Sequence, residues 1–217
     1  KVHGGAKLAC GCALPGRRGC ERVRSRSAHA RIVCLGGGRG RALAGGRDGV
    51  TGKDVSGWSW GFVPESRDET PLAVEKVRYY AEGVASVCAD DEETAEAACD
   101  LIEVEYEELP GIFDAEEAMQ DGAPQVHDYA EGNISWDFHM DYGDVEQGFA
   151  EADLVAEERY QTARTITGFL EPPAAVAQWD TDGITLWAAK QSPYFIYRHL
   201  AACFGLPLSK VRVIQPY

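Results

Sequence analysis

The chain has 217 residues, 45% apolar and 26% charged, with a net charge of -14, which gives length for one large or two small packed domains and the wrong sign for a nucleic-acid partner. It holds no apolar run of about eighteen residues, and its start lacks the apolar stretch of a secretory signal, so it reads as cytoplasmic with no membrane segment. The charge is uneven: residues 1–55 hold twelve Lys and Arg against three Asp and Glu, and the remainder nine against thirty-two.

A basic, Gly-rich head of this kind is either an altered domain start or an arm for nucleic acid or an acidic partner. Residues 1–16 read as strand and turn pieces, 30–35 (ARIVCL) as a strand, 39–43 as one helical turn, and 50–55 as the close of this half. Four of the seven cysteines, Cys10, Cys12, Cys20 and Cys34, lie here. With His3 and His29 they match no CxxC spacing for zinc or iron–sulfur, and the odd total argues against a disulfide framework. Cys88, Cys99 and Cys203 fall on apolar faces and read as small buried hydrophobes. Residues 56–70 form a long loop in which Trp58, Trp60 and Phe62 either fold back on the core or mark an interface or channel.

From residue 76 the pattern sharpens. Two runs, 77–80 and 84–88, separated by Ala81, Glu82 and Gly83, predict a hairpin. Ala95, Ala98, Cys99 and Ile102 then recur at helical spacing opposite Glu92, Glu93, Glu96 and Asp100, with Asp90 as cap and Glu93 completing a capping box. Ile102, Val104 and Tyr106 alternate with glutamates as a half-buried strand. The unit reads β-β-α-β, with the strands flanking the helix parallel across a right-handed crossover.

Pro110 and Gly111 turn the chain into a short helix over 114–119, capped by Asp114, and a loop over 120–132 in which His127 is a surface or packing residue. The domain boundary falls near residue 130. Beyond it, Ile134, Trp136, Phe138 and Met140 predict a strand over 133–142, Asp144 caps a helix to 152, and 154–164 reads as a long strand. Segments 174–180 and 184–190 form a hairpin around Thr181-Asp182-Gly183. Ser192 reads as the cap of a helix that starts at Pro193 with Ile196, Leu200, Cys203 and Phe204 inward, Gly205 ends it, and 210–214 is a last strand.

These residues alone make no active site: there is no GxGxxG, Walker loop, HExxH or GxSxG. The motifs carry a resemblance instead. PLAxxKVRY, VAxVxAxDEETAEAAxxLIEVEYEELP, AEEAM, NIS, GDVEQGFAEADLVAEERY, LEPPAAVA, TLWAAKQSPY and GLPLSKVRVI resemble the molybdopterin-binding (large) subunit of the xanthine dehydrogenase and aldehyde oxidase family, in order and over nearly the whole chain. The acyl-CoA branch, such as 4-hydroxybenzoyl-CoA reductase, looks slightly nearer than the purine branch. Before residue 51 the family spacing persists in KVxGxAK, ALPG, RSxxAHARI, ALxG and VTGKDV, with departures at Arg26, Gly36, Gly46 and Gly49. Glycines in strands lower stability, so the resemblance implies a head less stable than its relatives.

The implied fold is α+β: an α/β hammerhead domain over 1–130, then the first part of a mixed α/β molybdopterin-binding domain over 131–217. The implied cofactor is molybdopterin in a full-length subunit, with iron–sulfur and FAD groups on partner subunits and a small-molecule substrate hydroxylated, or reductively dehydroxylated, at an aldehyde, N-heterocycle or aromatic acyl-CoA carbon. Gln191 matches the position whose amide donates to an oxygen ligand of the molybdenum centre, and Glu171, in LEPP, lies in a segment close to that pocket. The family's Gly-rich cofactor loop and its catalytic glutamate are absent from these residues. The resemblance thus implies the N-terminal portion of a longer subunit, inactive alone, with no catalytic or metal-ligating residue of its own. The alternative is a non-catalytic hammerhead module that binds a protein partner through its acidic face or its Trp58/Trp60 loop.

Overall fold

A computed structural model describes residues 14–36, 46–61, 68–168, 170 and 173–216. Two three-stranded antiparallel sheets build the first half. One has the order β1 (Gly19–Arg24), β5 (Gly83–Ala89), β3 (Gly46–Thr51); the other β4 (Lys76–Val77), β2 (Ala30–Gly36), β6 (Glu103–Glu108). Ala30, Ala73, Val77 and Val84 are buried at their junction, with Val23, Ile32, Leu35, Val104 and Tyr106 packed around them. Removing that apolar surface from water is the main force holding the sheets together.

Helix α1 (Glu92–Asp100) lies on β1 and β5 and seals Ala95 and Ala98. Its cap is Asp91 rather than the expected Asp90: the Asp91 backbone is extended and its carboxylate accepts from the Thr94 N–H at 2.7 Å. The hairpin expected between 77–80 and 84–88 does not form. Strand β4 pairs with β2 instead, because the intervening turn is a corner: Ala81 adopts φ 68°, its N–H donates to Ser25 O (3.0 Å), and the Arg78 N–H donates to the Glu82 carboxylate (2.6 Å). Nor are β5 and β6 parallel neighbours. Both edges of β5 are occupied by β1 and β3, so the chain leaving α1 joins the other sheet and runs antiparallel to β2.

Cys20 and Cys88 face each other in the β1–β5 register with Cα atoms 4.2 Å apart and are joined as a disulfide. That corrects the reading of Cys88 as a free hydrophobe. An odd cysteine count says nothing about a pair that strand register brings together over a separation of 68 residues. Cys99 and Cys203 are free and half-buried, and burial raises both thiol pKa values. Cys10, Cys12 and the helical turn expected at 39–43 lie outside the described residues.

Helix α2 (Ala115–Ala118) is capped by Asp114 as expected. The 118–133 loop is drawn around Asn133, whose side chain accepts from Val126 N and donates to Ala118 O and Pro124 O. Residues 134–142 and 154–164 form no strand. Trp136, Phe138, Met140 and Tyr160 stand exposed and no described strand lies alongside to complete a ladder; a period of two marks a face, but a strand also needs a neighbour. Two arginines tether the second segment to the α2 region: Arg159 to Glu116 (2.7 Å) and Arg164 to Phe113 O (3.0 Å). Between the segments lies α3 (Val145–Glu151), capped by Asp144.

The third sheet has the order β7 (Ala175–Asp180), β8 (Gly183–Ala188), β9 (Val211–Ile214). The pair β7–β8 is antiparallel around the expected Asp-Gly turn, and β8–β9 is parallel through α4 (Pro193–Phe204). Gly183 adopts φ 132° against the start of β9, where an added Cβ would sit 1.9 Å from Lys210 O. No described helix is long and apolar enough to cross a membrane.

Candidate functional site

The central strand β8 is the part of the third sheet whose end is best fixed. Ile184 and Ala188 are buried, β7 and β9 occupy its two edges, and Ala189 N–H donates to Ala174 O (3.3 Å) just past the strand. Two residues later stands Gln191, exposed. Ser192 then turns the chain into α4 with φ 56° and ψ 62°, a left-handed conformation that costs a non-glycine residue about 1–2 kcal/mol. Its hydroxyl does not cap the helix, contrary to the sequence expectation, because the left-handed turn replaces the extended geometry a capping side chain needs.

The start of α4 therefore keeps the partial positive charge of a helix N-terminus with no side-chain cap from Ser192. Pro193 supplies no N–H at the first helical position, and Phe195 N–H is taken by Ser192 O (3.1 Å). The helix is held by its inner face, with Ala201 buried and Ile196, Leu200, Cys203 and Phe204 half-buried. Gly205 closes it in the left-handed region, and Leu206 N–H donates to Ala201 O (2.9 Å). On its outer side Tyr194 stacks on Tyr197 (6.1 Å), and the Arg198 guanidinium lies 6.0 Å from the Tyr194 ring centre.

Charge distinguishes the last part of the sequence from the rest of an acidic chain, with Lys190 beside Gln191 and with Lys210 and Arg212 at the opposite end of β8, near Thr181 and Thr185. From residue 183 to 217 the sequence carries Lys190, Arg198, Lys210 and Arg212 and no Asp or Glu. A neutral amide donor, a helix N-terminus and the neighbouring Lys190 together suit an anionic group bearing oxygen acceptors. Glu171 lies outside the described residues, so Gln191 is the expected site residue that the structure places.

Elsewhere a hollow of about 1010 Å³ lies between the first half and the segment after Pro110, lined among others by His29, Arg78, His127, Phe113 and Trp136. Arg78 and Glu82 pair in its wall at 3.1 Å with both side chains largely buried. Burial raises the Glu82 pKa, and hydrogen bonds and charge from Arg78 only partly oppose it. His127 is half-buried near Asp68 (3.9 Å), and burial followed by Arg78 lowers its pKa, so it is a packing residue as the sequence suggested. His29 is buried, and the bond to Pro110 O at 2.7 Å makes Nδ1 the donor. Among the described residues no group of three or more His, Cys, Asp or Glu is placed to hold a metal ion.

Residues 13–110 match the family profile "Aldehyde oxidase and xanthine dehydrogenase, a/b hammerhead domain" and residues 126–217 the profile "Molybdopterin cofactor-binding domain". The chain is 36% identical over 99% of its length to the nicotinate dehydrogenase large molybdopterin subunit of Eubacterium barkeri, covering 50% of that protein. It is 31% identical over its whole length to a xanthine dehydrogenase molybdenum-binding subunit of Escherichia coli O157:H7, covering 30% of it. The structure superposes on reconstituted CO dehydrogenase from Oligotropha carboxidovorans with a TM-score of 0.84 at 31% identity, over 97% of this chain and 28% of that one. The chain thus spans half or less of these relatives. It carries the α/β hammerhead domain followed by molybdopterin cofactor-binding domain sequence, and it belongs to the aldehyde oxidase and xanthine dehydrogenase family.

Proposed function

We propose that this chain supplies one wall of the molybdenum site in a molybdopterin-binding subunit, with the Gln191 side-chain amide donating to an oxygen ligand of the metal. The observation that carries the reading is the position of Gln191, exposed between the end of β8 and the N-terminus of α4 in an acid-free stretch. The donor set fits molybdopterin, an anionic cofactor. When bound, that cofactor supplies Lewis acidity and a two-electron sink for hydroxylating a substrate carbon, or for the reverse.

The chain's own contribution is positioning. A neutral amide directs one N–H at the metal's oxygen without placing a charge there, and the α4 N-terminus and Lys190 add a field that favours negative charge on that side. The strand end fixes the Gln191 backbone because β8 is paired along both edges. Glu171, in the LEPP segment, belongs to the same wall in this reading. We also keep the division into units near residue 130, the iron–sulfur and FAD partners, and a small-molecule aldehyde, N-heterocycle or aromatic acyl-CoA substrate. A cytoplasmic setting completes the proposal, and fractionation of intact cells that follows the complete subunit would test it.

The test is Gln191→Ala in the complete, cofactor-loaded subunit. Loss of a hydrogen bond to an oxygen that gains charge in the transition state costs roughly 1.5–3 kcal/mol, a fall in turnover of about 10- to 100-fold at unchanged cofactor occupancy. Wild-type turnover at full occupancy would reduce Gln191 to a strand-end residue.

A further inference from the structure

The tryptophan loop of the hammerhead region does not end in solvent. After β3 the chain makes a 3₁₀ turn over Gly52–Val55, and Gly52 lies so close to the backbone of Ala73 that an added Cβ would sit 2.0 Å from its carbonyl oxygen. Thr51 donates both its N–H (2.8 Å) and its hydroxyl (2.7 Å) to Asp54, Val55 is buried, and Trp58 N–H donates to Val55 O at 3.0 Å. Trp58 therefore stands on a corner fixed to the hammerhead core by a close backbone contact, two side-chain hydrogen bonds and a buried valine.

Its ring reaches the other region. Trp58 meets Phe204, the last residue of α4, edge-on, with ring centres 4.7 Å apart and planes at 68°. Phe204 meets Trp179 of β7 in the same manner at 5.0 Å and 87°. The C-terminal end of α4 is thus gripped between a ring from the hammerhead and a ring from its own sheet. Both pairs have the edge-to-face geometry that aromatic quadrupoles favour. By contrast, the extensive packing of helices and strands stays within 19–108 or within 175–214. Trp60, two residues further on, is committed elsewhere: its indole N–H donates to Glu69 (3.1 Å) and its backbone pairs with the same residue.

We propose that Trp58 is the latch by which the hammerhead region holds α4, and through α4 a positioning residue for Gln191 at the helix's other end. The latch stands on the ring geometry alone; its bearing on Gln191 rests on the function proposed above. A rigid twelve-residue helix fixed at its C-terminal end constrains where its N-terminal end lies. When the Trp58 ring is removed, Phe204 loses one of its two aromatic walls while the sheet itself keeps all its strands.

Hydrogen exchange on the 217-residue chain tests this, with Trp58→Ala, Trp58→Leu and Trp60→Ala compared. The latch predicts that Trp58→Ala speeds exchange of the α4 amides by roughly tenfold, with β5 and α1 amides unchanged within about twofold. Trp58→Leu, which keeps apolar bulk and should fold even if the alanine variant does not, shows the same regional pattern at a smaller size, and Trp60→Ala leaves α4 as it was. Unchanged α4 protection in a folded Trp58 variant overturns the latch. So does a uniform rise over the whole chain, which would make Trp58 an ordinary core residue. The positioning role is read separately from the Gln191 side-chain amide NMR signals, which shift or broaden in the Trp58 variants while those of Gln147 on α3 stay in place. Faster α4 exchange with Gln191 unmoved would keep the latch and remove the positioning role. Failure of the Gln191→Ala turnover test would leave the exchange result standing.

Discussion

Ala81 offers a direct test of how the corner between β4 and β5 is built. It sits at φ 68° in a turn closed by Glu82 N–H to Tyr79 O (3.2 Å), and the corner is locked by Ala81 N–H to Ser25 O (3.0 Å) and Arg24 Nη1 to Ala81 O (3.2 Å). Those bonds prevent relaxation to negative φ, so the alanine bears the left-handed penalty of about 1–2 kcal/mol. Glycine at the same position removes that penalty but gives the unfolded chain more freedom, an opposing effect of about 0.4–1 kcal/mol. The difference predicts that Ala81→Gly stabilises by roughly 0.5–1 kcal/mol, read as a urea midpoint shifted upward at unchanged slope and a Tm raised by about 1–4 °C. The control is Ala85→Gly on β5, where the methyl is buried and φ is not positive; it should lose stability. Loss of stability in Ala81→Gly as well would show that the corner is not left-handed and would refute the account of why β4 leaves β5.

Three further outcomes follow from the same geometry. Because burial raises the Glu82 pKa above its unfolded value, the stability linked to this group is full below the ordinary carboxyl range and is lost as pH rises through the raised value; Glu82→Gln should remove that part of the pH slope in denaturation above the ordinary carboxyl range. Gly52→Ala should destabilise by roughly 3 kcal/mol or more, since the clash is with Ala73 backbone and neither side can yield cheaply, and denaturant titration would measure it. Reducing the Cys20–Cys88 bridge, or Cys20→Ser, should cost about 4 kcal/mol for a closed loop of this length and unprotect β1 first in hydrogen exchange.

What the sequence disclosed follows from how local each signal is. Helix α1, the Asp114 and Asp144 caps, the Asp-Gly hairpin and the Pro193 to Gly205 limits of α4 are each written within a few neighbouring residues, and all of them form. Partner choice is not local. The alternation at 134–142 marks an apolar face yet says nothing about what lies against it, and the same is true of 154–164. The Cys20–Cys88 pairing and the exchange of β4 from β5 to β2 depend on register between segments far apart in the chain. The Asp90-to-Asp91 shift is a one-residue ambiguity between two adjacent acids. The expectation for Gln191 rests on family resemblance alone, because a single amide at a strand end has no chemical signature of its own. The structure adds the left-handed Ser192 and the Phe204 clamp, features of backbone and packing that composition does not encode.

The central claim is that Gln191 faces the metal. A structure of the complete subunit with molybdopterin bound measures it directly: the account predicts Gln191 Nε2 at hydrogen-bond distance, about 2.7–3.2 Å, from an oxygen ligand of the molybdenum. An amide turned to solvent, or separated from that oxygen by another side chain, would contradict it.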